Sequence, residues 1–208
     1  MEPLPVDAQL SPVFGAVITE INGDGIPDVF LVQNFFSPQL ETGNMDGGIG
    51  CILTGRGDGT FDSVAPHRSG IVIPEDATAA ILTNGNVGQR PEFLVATNSG
   101  NVRSVERRSS DFDGASTSPP NTVCIRLSGV SSSAAVAGTR VYLQIEGKPD
   151  QVAEMAAGSG YLSQQPPLCF FALPADTAWS AKFVWPDGQT TTHEFDAGER
   201  VVSVAYPA

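Results

Sequence analysis

The chain has 208 residues, enough for one or two domains with a buried core. Hydrophobic residues make up 41% and charged residues 16%, which argues against a disordered chain. The net charge of -12 disfavours nucleic acid and anionic membranes as partners, and no apolar run is long enough to span a bilayer. The 22 glycines and 16 prolines favour many short strands joined by turns, which predicts an all-β fold.

The first residues, Met1–Pro5, have neither a basic stretch nor an apolar core. We therefore expect no signal peptide in this chain. The protein would then be cytosolic, or the chain would be a fragment whose leader lies upstream.

The chain contains an internal repeat at an offset of 64 residues, which aligns Ala16–Asn34 with Ala80–Asn98 without a gap. Each copy predicts a strand, a polar loop and a second strand, with Pro27 or Pro91 just before the second strand. Together with a further strand after each copy, the repeats predict two small antiparallel sheets, the unit of a β-propeller blade. Two blades cannot close a ring. Upstream blades are then missing, or the chain forms a homo-oligomer, or the blades pack on the C-terminal part.

A polar, proline-containing stretch at residues 111–120 predicts a linker between the two repeats in residues 1–110 and a second module in residues 121–208. The second part has apolar or alternating segments separated by turn residues, at Val123–Leu127, Thr139–Ile145, Ala181–Trp185 and Val201–Ala205. This pattern is typical of a β-sandwich or barrel-like module. The helix candidates are short, such as Gln151–Met155.

The loop that joins the two strands of the first repeat is rich in oxygen donors. It carries the side chains of Glu20, Asn22, Asp24 and Asp28, and the main-chain carbonyl of Ile26. Ca²⁺ takes roughly six to eight oxygen ligands on a tightly curled loop, and three carboxylates on one loop would repel each other without a cation. The loop is therefore predicted to bind Ca²⁺; the alternative is a polar turn with no ion.

The equivalent loop of the second repeat keeps one carboxylate, Glu92, with Asn84, Asn86 and Gly88 at the other positions. Less negative charge means weaker calcium binding. This loop is predicted to be a hydrogen-bonded turn without an ion.

The first loop and the turn after it resemble the FG-GAP (VCBS) repeat. In that family, D-x-N-x-D-G-x-x-D lies between two strands and is followed by a G-x-G-D-G-T-F turn. The matching residues are Asn22, Asp24, Gly25, Asp28, Gly55, Gly57, Asp58, Gly59, Thr60 and Phe61. The resemblance implies propeller blades and a Ca²⁺-binding loop, although Glu20 replaces the usual first aspartate.

The C-terminal part resembles the ASPIC/UnbV domain. The resemblance rests on four segments in the family's order, at Asn121–Leu127, Ala137–Leu143, Gly158–Gln165 and Trp179–Gly188. It implies a small all-β interaction module without catalytic activity. The chain departs from the family at Leu168–Pro174, where a histidine-bearing F-G-L-G segment is usual.

One ligand corner is conceivable in this module, formed by Tyr161, Ser163 and Gln164. The alternative is a hydrogen-bonded corner that satisfies buried backbone groups. The two histidines, His67 and His193, lie outside any metal or catalytic pattern. No motif with a known mechanism is present, so the chain is not predicted to be an enzyme.

The three cysteines, Cys51, Cys124 and Cys169, are too few and too uneven in number for a disulfide framework. Two alternatives remain open. Either one bridge joins Cys124 to Cys169, or all three are buried thiols.

The resemblances imply a calcium-binding, extracellular or cell-envelope adhesion module with a protein or glycan partner, and with neither nucleic-acid binding nor membrane insertion. A second hypothesis is a carbohydrate-binding module that uses exposed aromatic side chains such as Trp179 or Tyr161. A third is a cryptic hydrolase, which would need a pocket with two strongly perturbed carboxylates.

Overall fold

The computed structural model describes residues 2–85, 90–106, 122–129, 136–158 and 160–207. The predicted linker at 111–120 lies outside the described residues. Within them the protein is all-β, as predicted, with a short 3₁₀ turn at Val6–Gln9 and one short helix, α1, at Pro66–Ser69. No helix in these ranges is long and apolar enough to cross a bilayer.

Residues 13–106 form two antiparallel sheets. The first sheet has four strands in chain order: β1 (Val13–Thr19), β2 (Asp28–Gln33), β3 (Cys51–Gly55) and β4 (Phe61–Val64). The second sheet has three: β5 (Ala77–Thr83), β6 (Glu92–Thr97) and β7 (Arg103–Glu106).

The internal repeat is also a repeat of strand register. Ala16 pairs with Leu31 in the first sheet, and Ala80 pairs with Val95 in the second, so the offset of 64 is kept. Each ladder is interrupted by a bulge at the equivalent place, just after Val13 in one sheet and just after Ala77 in the other. The predicted strand–loop–strand pattern is confirmed for both copies.

The C-terminal part is a β-sandwich of two further sheets, as predicted. Its strands are β8 (Thr122–Ser128), β9 (Arg140–Gln144), β10 (Gln151–Glu154), β11 (Leu168–Ala172), β12 (Trp179–Val184), β13 (Thr190–Phe195) and β14 (Val201–Ala205). One sheet has the order β11-β8-β14, with β14 parallel to β8, and the other has the order β10-β9-β12-β13.

The helix candidate at Gln151–Met155 is wrong, because Gln151–Glu154 form strand β10 and pair with β9. Pairing with β9 outweighs the weak local preference of this segment for a helix. Its side chains alternate between half-buried and exposed, as expected for a strand with one covered face.

The β11-β8-β14 sheet is covered on both faces. On one face, Cys124, Leu168 and Phe170 join the core that the two repeat sheets share. On the other face, Ile125 and Phe171 belong to the core of the sandwich. The inner faces of the unclosed repeat sheets are therefore buried against each other and against the C-terminal module, which is one of the three arrangements considered from the sequence.

Neighbouring residues of a strand face opposite sides of the sheet, and this separates the cysteines. Cys169 is in register with Ile125, so the side chains of Cys124 and Cys169 belong to opposite faces of the sheet. Cys51, Cys124 and Cys169 are all free and buried. Of the two alternatives, the structure shows three buried thiols.

A glycine brings the two repeat sheets close together. A Cβ atom at Gly15 in β1 would lie 2.8 Å from the main-chain nitrogen of Ala80 in β5 and 2.7 Å from Cγ2 of Val32. Only a residue without a side chain fits this approach.

Candidate functional site

The carboxylate of Glu20 is buried and held by the backbone of its own loop. Its Oε1 accepts a hydrogen bond from the N–H of Gly23 at 2.6 Å, and its Oε2 accepts one from Gly25 at 2.8 Å. Gly23 and Gly25 have φ angles of 90° and 89°, in the left-handed region that favours glycine. The two glycines therefore allow the curl that turns these N–H groups toward Glu20.

Asp28, at the start of β2, is completely buried and ties the loop to the next turn. Its Oδ2 accepts hydrogen bonds from the N–H groups of Ile21 at 2.9 Å and Asn22 at 3.1 Å. Its Oδ1 accepts one from Gly55, at the end of β3, at 3.0 Å. Removal of this carboxylate would take away the acceptor of three main-chain hydrogen bonds.

Asp24 lies at the exposed tip of the loop. Its Oδ1 accepts a hydrogen bond from the N–H of Ile26 at 2.7 Å, and its Oδ2 accepts one from the side-chain amide of Asn22 at 2.7 Å. Asn22 in turn accepts a hydrogen bond from the N–H of Asp24 at 2.9 Å. The structure thus places all the predicted ligands on one loop, with two carboxylates buried and one exposed.

Burial and like charges disfavour ionisation of the two buried acids. Burial raises the pKa of Glu20 to about 7; the bonds from Gly23 and Gly25 oppose this shift, and the charges of Asp28 and Asp24 add to it. Burial likewise raises the pKa of Asp28 to about 6, against the N–H groups that donate to it. The charges that raise these pKa values are those of neighbouring carboxylates: Asp28 and Asp24 for Glu20, and Asp24 for Asp28. The loop therefore has a local excess of negative charge.

These residues fit Ca²⁺ by donor type and by charge. A carboxylate has about four lone-pair sites, so its oxygens can accept N–H groups and still contact a cation. The loop does not gather the donors into one cluster. Among the residues that the structure describes, no three Asp, Glu, His or Cys side chains are grouped so that they could hold a metal ion.

In the second repeat, an asparagine that contacts a cation of the C-terminal module replaces the buried Glu20. Asn84, the equivalent of Glu20, is buried, and its side-chain oxygen accepts a hydrogen bond from the guanidinium of Arg126 in β8. Glu92 accepts a hydrogen bond from the hydroxyl of Ser104. Asn86 and Gly88 lie outside the described residues. That this loop binds no ion remains a prediction.

The predicted ligand corner lies at a tight turn, closed by a bridge between Gly160 and Ser163. The ring of Tyr161 packs on Phe14 of β1, with centroids 5.7 Å apart. Gln164 accepts a hydrogen bond from the N–H of Gly158, donates to the carbonyl of Gln165 at 3.0 Å, and lines a separate cavity that Tyr161 does not reach. Tyr161 and Gln164 therefore lie in different surroundings, and that they bind a ligand together with Ser163 remains a prediction.

Trp179 does not form an exposed platform, so that prediction is wrong. Strand alternation in β12 turns Trp179 into the sandwich, where it stacks on Phe195 with centroids 4.2 Å apart. Of the two aromatic residues considered for a glycan platform, Tyr161 is the exposed one.

A cleft of about 450 Å³ separates the Glu20–Asp28 loop from the C-terminal module. Gln151 of β10 lies opposite the loop, and a Cβ atom at Gly25 would lie 3.6 Å from its side-chain Cδ. No local sequence pattern points to this contact, because it joins segments that are far apart in the chain. Glu20 lines the cleft, whereas the fully buried Asp28 does not. Glu20 and Asp28 both have raised pKa values, but they do not face a common pocket, as the hydrolase hypothesis would require.

The family model described as ASPIC and UnbV matches residues 129–208. The predicted resemblance to this domain is confirmed for residues 129–208, and strand β8 lies just before the match.

The chain is also similar to cartilage acidic protein 1 from Xenopus tropicalis, with 35% identity over 72 residues, which cover 34% of this chain and 11% of that protein. Among solved structures, a γ-CGTase from alkalophilic Bacillus clarkii aligns with 96% of this chain and 28% of its own, at 15% identity and a TM-score of 0.21, too low to carry any structural argument. The aligned regions are thus a small part of both relatives.

Proposed function

We propose, from the ASPIC and UnbV match of residues 129–208, that this protein is an extracellular or cell-envelope interaction module without catalytic activity. Its partner would be a protein or a glycan, and the Glu20–Asp28 loop would bind Ca²⁺ beside the joint between the repeats and the module. Two observations support the non-enzymatic part. Asp28 is shut off from the cleft that Glu20 lines, and its oxygens are engaged by three N–H groups.

The calcium proposal is carried by one observation. Two buried carboxylates and a third exposed one occupy a single loop, and the like charges of neighbouring carboxylates raise the pKa of each buried acid. Ca²⁺ would supply the missing charge, with Glu20, Asn22, Asp24 and Asp28 and the carbonyl of Ile26 as its ligands. The resemblance of the loop to the FG-GAP repeat supports the same assignment.

Calorimetric titration with Ca²⁺ tests this proposal, together with thermal unfolding in Ca²⁺ and in chelator. We expect a Kd on the order of 10⁻⁴ to 10⁻³ M, as in extracellular modules, and a rise in Tm with Ca²⁺ concentration. The informative variant is Asp24→Asn, because Asp24 is exposed and asparagine still offers an oxygen to the N–H of Ile26. It should weaken Ca²⁺ binding at least about tenfold, through the loss of one ligand charge.

Asp58→Asn is the matched control. Asp58 is also exposed, and its Oδ1 accepts the N–H of Thr60, two residues later, at 2.9 Å, much as Asp24 accepts that of Ile26. This variant should bind Ca²⁺ as the unaltered protein does. A Tm that is the same in about 10 mM Ca²⁺ and in chelator would rule out the metal assignment.

A further inference from the structure

Among the described residues, each sheet of the sandwich ends in a strand with one free edge on the side that faces the repeats. Within that part of the chain, β10 pairs with β9 alone and β11 pairs with β8 alone. The cleft of about 450 Å³ described above lies between them, and we call it the edge groove; it is lined by residues 150–155, 168–171 and 18–20, among others.

On the β10 wall, the main chain offers hydrogen-bonding groups to the edge groove. The N–H of Met155, just past the strand, donates to the carbonyl of Thr139 at 2.9 Å, toward the β9 side. In an antiparallel pair, alternate residues bond to the neighbouring strand. Val152 and Glu154 therefore turn their N–H and C=O groups away from β9, and both residues line the edge groove.

The β11 wall follows the same rule. The N–H of Leu127 in β8 donates to the carbonyl of Pro167 at 2.8 Å, so Leu168, Phe170 and Ala172 turn their main-chain groups away from β8. The N–H of Leu168 donates to Pro166 at 2.8 Å.

Gln151 closes one end of the edge groove. Its side-chain amide donates to the carbonyl of Ala172 at 2.8 Å and accepts a hydrogen bond from the N–H of Ala172 at 2.8 Å. These are the two bonds that a neighbouring strand would make with Ala172. Beyond this closed end, the main-chain groups of Val152, Glu154 and Phe170 are the positions at which an added strand could pair.

The walls of the edge groove are acidic and partly apolar. Glu20, Asp150 and Glu154 are its charged residues, and it has no Lys, Arg or His among its lining residues in the described part of the chain. Glu154 pairs with Arg140 at 3.0 Å, and Asp150 accepts a hydrogen bond from the side-chain amide of Gln144 at 3.0 Å. Ile18 and Val152 expose 70% and 49% of their surface beside these acids. A complementary ligand is therefore cationic, with apolar side chains between its charges.

We infer that the edge groove receives an extended, basic segment of a partner protein, which adds as a strand to the free edge of β10. Main-chain hydrogen bonds would provide the affinity, and the acidic walls would select lysine or arginine side chains. This inference rests on the proposed interaction function and names the class of its partner.

The test uses a fluorescein-labelled peptide, acetyl-Lys-Val-Lys-Val-Lys-Val-amide, with fluorescence anisotropy and hydrogen exchange as readouts. We expect saturable binding that weakens with added salt, and slower exchange of the amides of Val152 and Glu154. Val152→Pro should weaken binding at least about tenfold, because proline lacks the N–H that faces the edge groove and leaves the bonds to β9 in place. Val152→Thr keeps that N–H and is the matched control.

A second measurement avoids any effect of Val152→Pro on folding. A peptide methylated on alternate backbone nitrogens loses the donors along one edge, and we expect it to bind at least about tenfold more weakly to the unaltered protein. Equal binding of the methylated peptide, or of an acidic peptide with Glu in place of Lys, would overturn the inference. So would self-association of the protein that is lost in Val152→Pro, because the occupant would then be a second copy.

The Ca²⁺ proposal and the edge-groove inference are refuted by different results. Absence of Ca²⁺ binding overturns the metal assignment and leaves peptide binding to be judged on its own. Absence of peptide binding to protein that does bind Ca²⁺ overturns the edge-groove inference alone.

Discussion

The ring of Phe30 in β2 lies against the ring of Phe93 in β6, with centroids 4.4 Å apart. Both side chains are fully buried, and they come from the second strand of each repeat. This contact joins the two repeat sheets at the centre of their shared core, so each sheet buries the face that it could not cover alone.

We expect Phe93→Ala to destabilise the protein by about 3–5 kcal/mol, because it removes a buried aromatic ring and leaves a cavity. Denaturant unfolding followed by circular dichroism would measure this loss. Phe36→Ala makes the same substitution at a side chain that is 38% exposed, and it should cost less than about half as much. Equal losses for the two variants would argue against the packing of Phe30 on Phe93.

The close approach of β1 to β5 leads us to predict a loss of stability when Gly15 is replaced. Gly15→Ala should destabilise the protein by about 1–3 kcal/mol, because the new methyl group would meet the backbone of Ala80, which has no rotamer to change. Gly198→Ala is the control, since no atom lies within 4 Å of its added Cβ and its φ is not in the left-handed region. A Gly15→Ala variant as stable as the control would show that the two sheets pack less closely.

The stability of the metal-free protein should fall as the pH rises from about 5 to about 7.5. In the unfolded chain Glu20 and Asp28 titrate near 4.5 and 3.8, whereas their folded pKa values are about 7 and about 6. Between these limits the folded state holds protons that the unfolded state has released, so deprotonation favours unfolding. Thermal unfolding in chelator at a series of pH values would measure the slope.

Hydrogen bonds lower the pKa values of Asp58, Asp62 and Asp187. Their contribution to the stability of the fold is lost only at more acidic pH, so these residues do not explain the fall in stability above pH 5. Glu20→Gln should flatten the pH dependence, since glutamine does not titrate. The variant also loses one acceptor for the loop N–H groups, so the comparison is between slopes and not between absolute stabilities. A slope that Glu20→Gln leaves unchanged would contradict this origin.

All three thiols should be silent toward a disulfide reagent at neutral pH in the native protein. Burial raises the pKa of Cys51 and of Cys124 to about 11, and it raises that of Cys169 well above its ordinary value. In guanidinium, all three should react. A colorimetric thiol count that finds a single thiol in the unfolded, unreduced protein would reveal a bridge and contradict the free cysteines.

Local patterns predicted the repeats and the sandwich well, because each rests on strand alternation and turn residues. Pro27 and Pro91 lie immediately before β2 and β6, as expected for a residue without an N–H at a strand start. Trp185 and Phe183, at alternate positions of one apolar run, are both buried.

The remaining features depend on contacts between distant segments. Nothing near Gln151 in the sequence indicates a bond to Ala172, and the helix predicted there was wrong because pairing with β9 overrides a weak local preference. Trp179 was judged as a surface residue because the facing sheet that covers it comes from elsewhere in the chain. The packing of the repeats on the module could not be predicted either. All residues of β11 are apolar, so the sequence does not indicate which of its two faces contacts the repeats.

The β11-β8-β14 sheet, which is covered on both faces, limits where this chain can be cut into separate domains. Strand β8 precedes the matched residues 129–208, yet β11 and β14 both pair with it, and its Cys124 reaches into the core of the repeats. A fragment cut at the family boundary would lack the central strand of one sheet and expose the apolar face of another. In this chain the repeats and the module therefore cannot be exchanged independently. A gene fusion that replaced the repeats would have to supply a new apolar surface to cover the outer face of the β11-β8-β14 sheet.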